Sequence, residues 1–491
     1  MSANFFRSTR RVAALALPAA LLLSAAAVFA AAALKISVDP YTNVTSQHQT
    51  QVEPDSFAYG STLVAAVQTG RFYDGGASNI AWSTSADGGL NWTTGYLPGI
   101  TKYQDGGPYD RVSDPAVAYD ARHNVWMISS LAITESPVRG AAVLTSRSTD
   151  GGLTWGSPVT VTAVGDVDKN WIVCDNHAAS VYFGNCYTEW DDVGAGGRVF
   201  MSTSSDGGLT WGARTPTVNN AGGIGGQPVV QPDGTVVVPM NSSFQSSILA
   251  FRSTDGGATW TKPVTVSAVS SHRVAGNLRT SPLPSAEVDA TGKVYVVWQD
   301  CRFRIRCKTN DIVMSTSTDG VSWTAVVRIP IDIRQSRVDH FIPGLAVDPA
   351  TAGAGAHLAL AYYYYPNGAC SAATCKLSVG FVSSADGGAS WTRPQQLAGP
   401  MTLSSIASTS QGRMVGDYIS TSFSGGLAYP FFSFANALAG SVFDQALYTT
   451  ASGIAMSEAL DGAATVAVGN EQPVPNAQSD RPEAQTIVTQ R

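Results

Sequence analysis

Ser148-Thr149-Asp150-Gly151-Gly152-Leu153-Thr154-Trp155 decides how this chain is read, because it recurs. The same octad pattern stands at residues 85–92, 204–211, 253–260 and 384–391, with a copy one residue short at 317–323. The six aspartates are Asp87, Asp150, Asp206, Asp255, Asp319 and Asp386, spaced 49 to 67 residues apart. Self-similarity at such an interval signals a repeat architecture. Asp and Ser side chains hydrogen-bond nearby backbone N–H groups and hold a tight turn. Gly-Gly supplies the positive φ the turn needs. The Trp is a large apolar anchor, expected to lock the turn onto the next sheet. Alternating runs flank each copy, such as 141–146 upstream and 158–162 downstream. A turn between two alternating runs is a β-hairpin.

The octad S-x-D-G-G-x-x-W resembles the Asp-box, or BNR repeat, of the sialidase superfamily, and the resemblance covers roughly residues 36–450. It implies an all-β fold, a β-propeller of four-stranded antiparallel blades, with six Asp-box turns on the rim between each blade's outer two strands. The fold by itself licenses no reaction.

Counting inner strands gives a second register. Apolar phrases begin at Glu53-Pro54, Asp114-Pro115, Trp171-Ile172, Gln227-Pro228, Ser285-Ala286, Pro343-Gly344 and Val415-Gly416. The seventh is followed by no octad and contains three strands. Residues 35–41, left over at the amino end, are expected to supply its fourth and close the ring. Seven blades are favoured, with six as the alternative. The catalytic sialidases that the motif resembles are six-bladed, so a seventh blade sets this chain apart from them.

Arg7, Arg10 and Arg11 precede an apolar run over 12–34, which reads as a secretory signal peptide. The expected organisation is a signal peptide over 1–33, the propeller over 34–455 and a disordered polar tail over 456–491. The protein is expected to be secreted or periplasmic. The six cysteines fall in close pairs, Cys174 with Cys186, Cys301 with Cys307 and Cys370 with Cys375. Local pairing closes short loops, and oxidised cysteines suit an exported protein. A formal charge of -6 argues against nucleic acid, which wants a basic footprint. No membrane contact beyond the signal segment is expected, and a monomer is.

In propellers of the resembled family the site lies on the axis, at the first residues of each inner strand. Polar groups stand there in this sequence: Glu53, Arg111 and Asp114, Asp168, Lys169 and Asn170, Gln227, Arg279, Arg337, Asp339 and His340, Arg413, Asp417 and Tyr418. Charged groups converging on one funnel suit a polar, anionic sugar. Arg111, Arg279 and Arg413 are expected to clamp a carboxylate, since Arg offers bidentate geometry. Lys169, Asp339 and His340 are further substrate-binding candidates. Asp114 is the candidate acid/base. Tyr418 is the candidate nucleophile, with Glu287 or Glu53 beside it and Asp417 in the same catalytic set. The family's R-I-P motif belongs in the first blade, whereas Arg328-Ile329-Pro330 follows the fifth octad on an outer strand. The histidines lack ligand spacing. No metal or cofactor is required, apart from a structural calcium ion, for which the hairpin ends at 189–192 and 298–300 are the candidates, as they are for sugar contacts.

The expected function is that of a secreted carbohydrate-active protein similar to exo-α-sialidases and other glycoside hydrolases, with a glycan or polysaccharide as substrate. Two rivals are a non-catalytic exported propeller that binds a glycan or a protein, and a polysaccharide lyase working through a Tyr418–His340 pair beside an arginine.

Overall fold

Extended strands dominate the computed structural model, which describes Met1, residues 32–456 and residues 465–474. The first sheet contains Gln47–Tyr59, Thr62–Arg71, Ala77–Ser85 and Thr93–Tyr96. The second contains Arg111–Asp120, Val125–Glu135, Val138–Ser148 and Val159–Thr162. Four more sheets of four strands follow, opening with Val167–Cys174, Val229–Val230, Ser285–Val288 and Asp339–Val347. The last contains Ser420–Ser424, Leu427–Ala435 and Gln445–Thr450. The first strands of successive sheets touch one another in order, and the last touches the first. Alternating apolar residues from facing sheets fill the space between neighbours. Leu63, Ala65, Val67, Phe431 and Leu447 form one such layer.

The seventh sheet takes its fourth strand from the amino end. Ala33–Lys35 pairs antiparallel with Gln445–Thr450, and Ile36 N–H donates to the Leu447 carbonyl at 3.0 Å. The pairing therefore begins two residues before the expected strand and stops at Ile36, so a boundary at 33/34 cuts through it. Most of the expected signal segment lies outside the described residues.

The carboxyl end also departs from expectation. Thr465–Ala467 pairs with Ser390–Thr392 in the sixth repeat. Glu471 lies 3.6 Å from the Arg334 guanidinium, and Val474 N–H donates to the Arg302 carbonyl at 2.9 Å. A short β-prone run, Thr465-Val466-Ala467, finds an open edge and pairs with it. The rest of the expected tail, at 457–464 and 475–491, lies outside the described residues.

The octad turns are held as their chemistry dictates. Ser148 Oγ donates to Asp150 Oδ1 at 2.8 Å and accepts from Gly152 N–H at 2.9 Å. Leu153 and Thr154 N–H groups donate to the same carboxylate. Gly152 has φ 83°, and a Cβ there would sit 2.8 Å from a Val64 methyl. The turn thus packs onto the preceding sheet, not the next one. Trp155 does the same, its ring 6.4 Å from that of Trp82. All three expected disulfides form.

Candidate functional site

Three first strands break register at the same level, between Val52 and Asp55, Ser113 and Ala116, and Asp168 and Trp171. At each break a non-glycine residue adopts left-handed backbone: Glu53 at φ 57°, Asp114 at 47° and Lys169 at 47°. Each such residue costs about 1–2 kcal/mol. The bulges turn these three side chains onto one point. Lys169 Nζ lies 3.1 Å from Glu53, 3.2 Å from Asp114 and 2.6 Å from Asp417. Arg279 grips Asp417 through two nitrogens, Nε at 2.8 Å and Nη2. Gly416 is required here, since a Cβ would stand 3.0 Å from Glu53 N.

Glu53, Asp114, Lys169 and Arg279 border a cavity of about 120 Å³. Glu53, Asp114, Lys169, Arg279 and the previously unremarked Arg71 form its floor, and Asp74, Arg139 and the 409–411 loop its mouth. The floor is deeply buried, Glu53 being 1% exposed and Lys169 5%. Asp168 is only partly buried and is the floor acid that solvent reaches.

Burial and charge push the acids apart. Burial raises Glu53 to about 7, opposed by Lys169. Burial likewise raises Asp168 to about 6 and raises Asp114. Burial would also raise Asp417, but the Arg279 and Lys169 cations hold it well below the usual carboxylate range. Lys169 stays charged, because its three carboxylates outweigh the burial that would lower it. Behind the floor, burial holds Glu189 and Asp191 far above the carboxylate range, and neither Glu189 oxygen has a hydrogen-bond partner.

Several expected site residues lie elsewhere. The three-arginine clamp does not converge. Arg279 borders the cavity, but Arg111 is held by Asp74, by the Gly75 carbonyl at 3.0 Å and by Glu135 at 3.6 Å. The Arg413 guanidinium donates to the Ile406 carbonyl, and its own carbonyl positions the Arg279 N–H at 2.7 Å. Tyr418 is not placed as a nucleophile. Its hydroxyl donates to the Pro115 carbonyl at 3.1 Å, its ring packs edge-on to Trp171, and burial raises its pKa. Glu287 borders a second cavity of about 220 Å³ further along the same strands, with Asp55 and Trp171. Burial and then Asp55 raise Glu287 to about 8.

Asp339 and His340 are drawn outward instead. Asp339 accepts from Asn310 N–H at 2.7 Å. Burial lowers His340 to about 3, and the ring sits beside Arg304. Tyr418 and His340 therefore form no pair. His340 does share one spot with Asp311 and Asp332, within 4.8 Å. Arg304 reaches both of those aspartates, at 2.6 and 2.7 Å, and Arg328 binds Asp311 at 2.8 Å. Two arginines in such a group oppose a cation. The acidic stretch 189–192 is the end of the strand Cys186–Asp192 and not a loop, and Asp192 is taken up by Asp166 and Ala195 N–H groups and by Arg214.

Arg71 was missed because it ends a second strand, not a first. Its signal is the Arg71-Phe72-Tyr73-Asp74-Gly75-Gly76 turn that follows. Glu53 and Asp114 both precede proline, a mark of the bulge level.

Residues 142–342 match the family described as a BNR repeat-like domain. A xyloglucanase from Paenibacillus sp. is 29% identical over 218 residues, covering 41% of this chain and 20% of the relative. The match thus spans about a fifth of the length of that relative. Among solved structures, a protein of unknown function from Dyadobacter fermentans matches at 15% identity and TM-score 0.44, covering 72% of this chain and 99% of that one. A sialidase from Trypanosoma rangeli matches at 15% identity and TM-score 0.44, covering 84% and 57%.

Proposed function

From a chain whose residues 142–342 are a BNR repeat-like domain, we propose an exported, seven-bladed, carbohydrate-active β-propeller of glycoside hydrolase type. A glycan enters the cavity floored by Glu53, Asp114, Lys169, Arg279 and Arg71. Support for seven blades comes from seven antiparallel strand groups whose first strands touch in cyclic order, the first, second and last groups being joined through the Ala77–Val112 and Thr50–Gln445 pairs. Three disulfides support export.

One observation carries the site. A single cavity is bordered by a reachable acid held half-protonated near pH 6, Asp168, and by two cations, Lys169 and Arg279, that hold Asp417 ionised behind them. Environments that push neighbouring carboxyls apart divide the labour of acid and base. In this reading Asp168 exchanges the proton with the glycosidic oxygen or with water. Asp417 lies behind Lys169 and Arg279 and supplies negative charge to the site without touching the sugar. Lys169 and Arg279 hold Asp417 in place and ionised. Asp114 supports Lys169 from below, a role different from the acid/base expected of it.

The rival is a non-catalytic glycan-binding propeller. It draws on the same floor, where the charges are mutually paired and almost wholly buried. Hydrolysis of a panel of neutral and acidic polysaccharides by the purified protein and by Asp168→Asn separates the two. Cleavage that the variant loses supports the enzyme. Binding without cleavage in both proteins supports the rival.

A further inference from the structure

The second cavity lies further along the first strands than the one floored by Glu53, and the two share no lining residue. Tyr418 stands between them, its ring packed on Trp171 and its hydroxyl donating to the Pro115 carbonyl. All seven first strands border the second cavity. Solvent reaches it beside Ala290 and Pro349, which are exposed. Its walls are largely apolar, with Phe57, Trp171, Val229, Leu345 and Phe423 among them. Three acids border it, Asp55, Glu287 and Asp289, and no lysine or arginine does among the described residues. His177 is also in the lining, its Nε2 lying 3.1 Å from the Val230 carbonyl.

Two of the acids are satisfied. Asp55 accepts from Val117 N–H at 2.7 Å. Asp289 accepts from the N–H groups of Thr291, Lys293 and Gly353 and from the Tyr295 hydroxyl. Glu287 is half-buried, and its carboxylate has neither a hydrogen bond nor an ion pair among the described residues. The charge that acts on it is that of another acid, Asp55. A carboxylate held in apolar surroundings without a partner is costly. An ammonium relieves that cost, because its N–H groups make charge-assisted hydrogen bonds to a carboxylate. The Trp171 ring adds a face that attracts cations. The Ser56 hydroxyl, 2.9 Å from that of Ser420 and 2.8 Å from that of Ser422, adds acceptors. An apolar cavity of about 150 Å³ takes up benzene, so one of about 220 Å³ holds a ring with a short aminoalkyl arm.

We infer that this cavity is a second ligand site, for a small organic amine whose ammonium pairs with Glu287 while its apolar body fills the space among Phe57, Trp171, Leu345 and Phe423. The inference is independent of the glycan reading of the first cavity. Calorimetric titration with benzylamine, benzyl alcohol, benzoate and calcium chloride tests it. The titrations are run at about pH 8.5, above the value of about 8 that burial and Asp55 give Glu287. Benzylamine should bind about tenfold or more tighter than benzyl alcohol, the gain expected of a hydrogen bond to a charged group. Benzoate should not bind. Glu287→Gln should bring benzylamine down to the level of benzyl alcohol, and Glu287→Asp should keep a weakened preference for the amine. Gln keeps the shape of the side chain and breaks no pairing, and melting by calorimetry checks the fold. If Glu287→Gln does not fold, the wild-type order of the three aromatic probes and Glu287→Asp still decide. Asp168→Asn, in the first cavity, should leave the amine affinity unchanged. Benzyl alcohol or benzoate bound as tightly as the amine overturns the inference. So does an amine affinity that Glu287→Gln leaves intact or that Asp168→Asn abolishes. Calcium bound in place of the amine, or no binding of benzylamine, overturns it as well.

Discussion

Lys169 Nζ stands 2.6 Å from Asp417 Oδ2, joining the first strand of the third sheet to the lead-in of the seventh. The same ammonium reaches Glu53 in the first sheet and Asp114 in the second. One side chain thus ties four sheets together near the axis.

Lys169→Met should therefore be severe. It strands three buried carboxylates, and breaking a buried pair by removing one partner costs about 3–5 kcal/mol. Chemical denaturation should show a loss of that size. A double variant, Lys169→Met with Asp114→Asn, should recover part of it. A Lys169→Met protein as stable as the wild type would mean that the network contributes nothing net.

Stability should fall as the solution turns alkaline from pH 5 to pH 8. Glu53 and Asp168 titrate higher in the folded chain, at about 7 and about 6, than unfolded carboxyls do. Between those limits the folded state binds more protons than the unfolded one, so stability is fully present below the unfolded pKa and is lost as pH rises through the folded pKa. Asp417 works in the opposite sense, since its depressed pKa contributes stability above the unfolded value that is lost only in strong acid. Melting temperature against pH measures the first effect, and Glu53→Gln should flatten it above pH 6.

Asp150→Ala should cost about 1 kcal/mol, because two exposed N–H donors and the Ser148 hydroxyl lose their acceptor. Glycan affinity should not change, as the turn lies on the rim. Lost binding in a protein that melts normally would contradict the structural role of the octad.

Removing residues 32–36 should expose the edge of Gln445–Thr450. An unpaired strand edge invites association with other chains. Light scattering on heating should report aggregation at a lower temperature than for the wild type. An unchanged profile would show that the strand is dispensable.

The repeat was legible because one octad encodes a turn through its own side chains, with no help from distant residues. The closing strand was legible by subtraction, since the last repeat was one strand short. The site was half legible. Position along each first strand picked out Lys169, Arg279, Asp114 and Asp417, whose side chains share one ion-pair network. It failed for Arg111 and Arg413, whose guanidinium groups are captured locally by Asp74 and by the Ile406 carbonyl. Sequence spacing gives a residue's level but not the partner that pulls its side chain aside. Arg71 escaped because a second-strand residue reaches the cavity only through the bulge geometry of its neighbours.

The pairing of Ala33–Lys35 with Gln445–Thr450 sets a timetable for folding. The first strand among the described residues has no strand partner until more than 400 residues later. The intervening hairpins are local and can form as they emerge, but the ring is sealed by its most distant contact. Contacts of that span form slowly, and until then both partner edges stay open to other chains. Whatever machinery handles this chain must guard its first strand until its last sheet arrives.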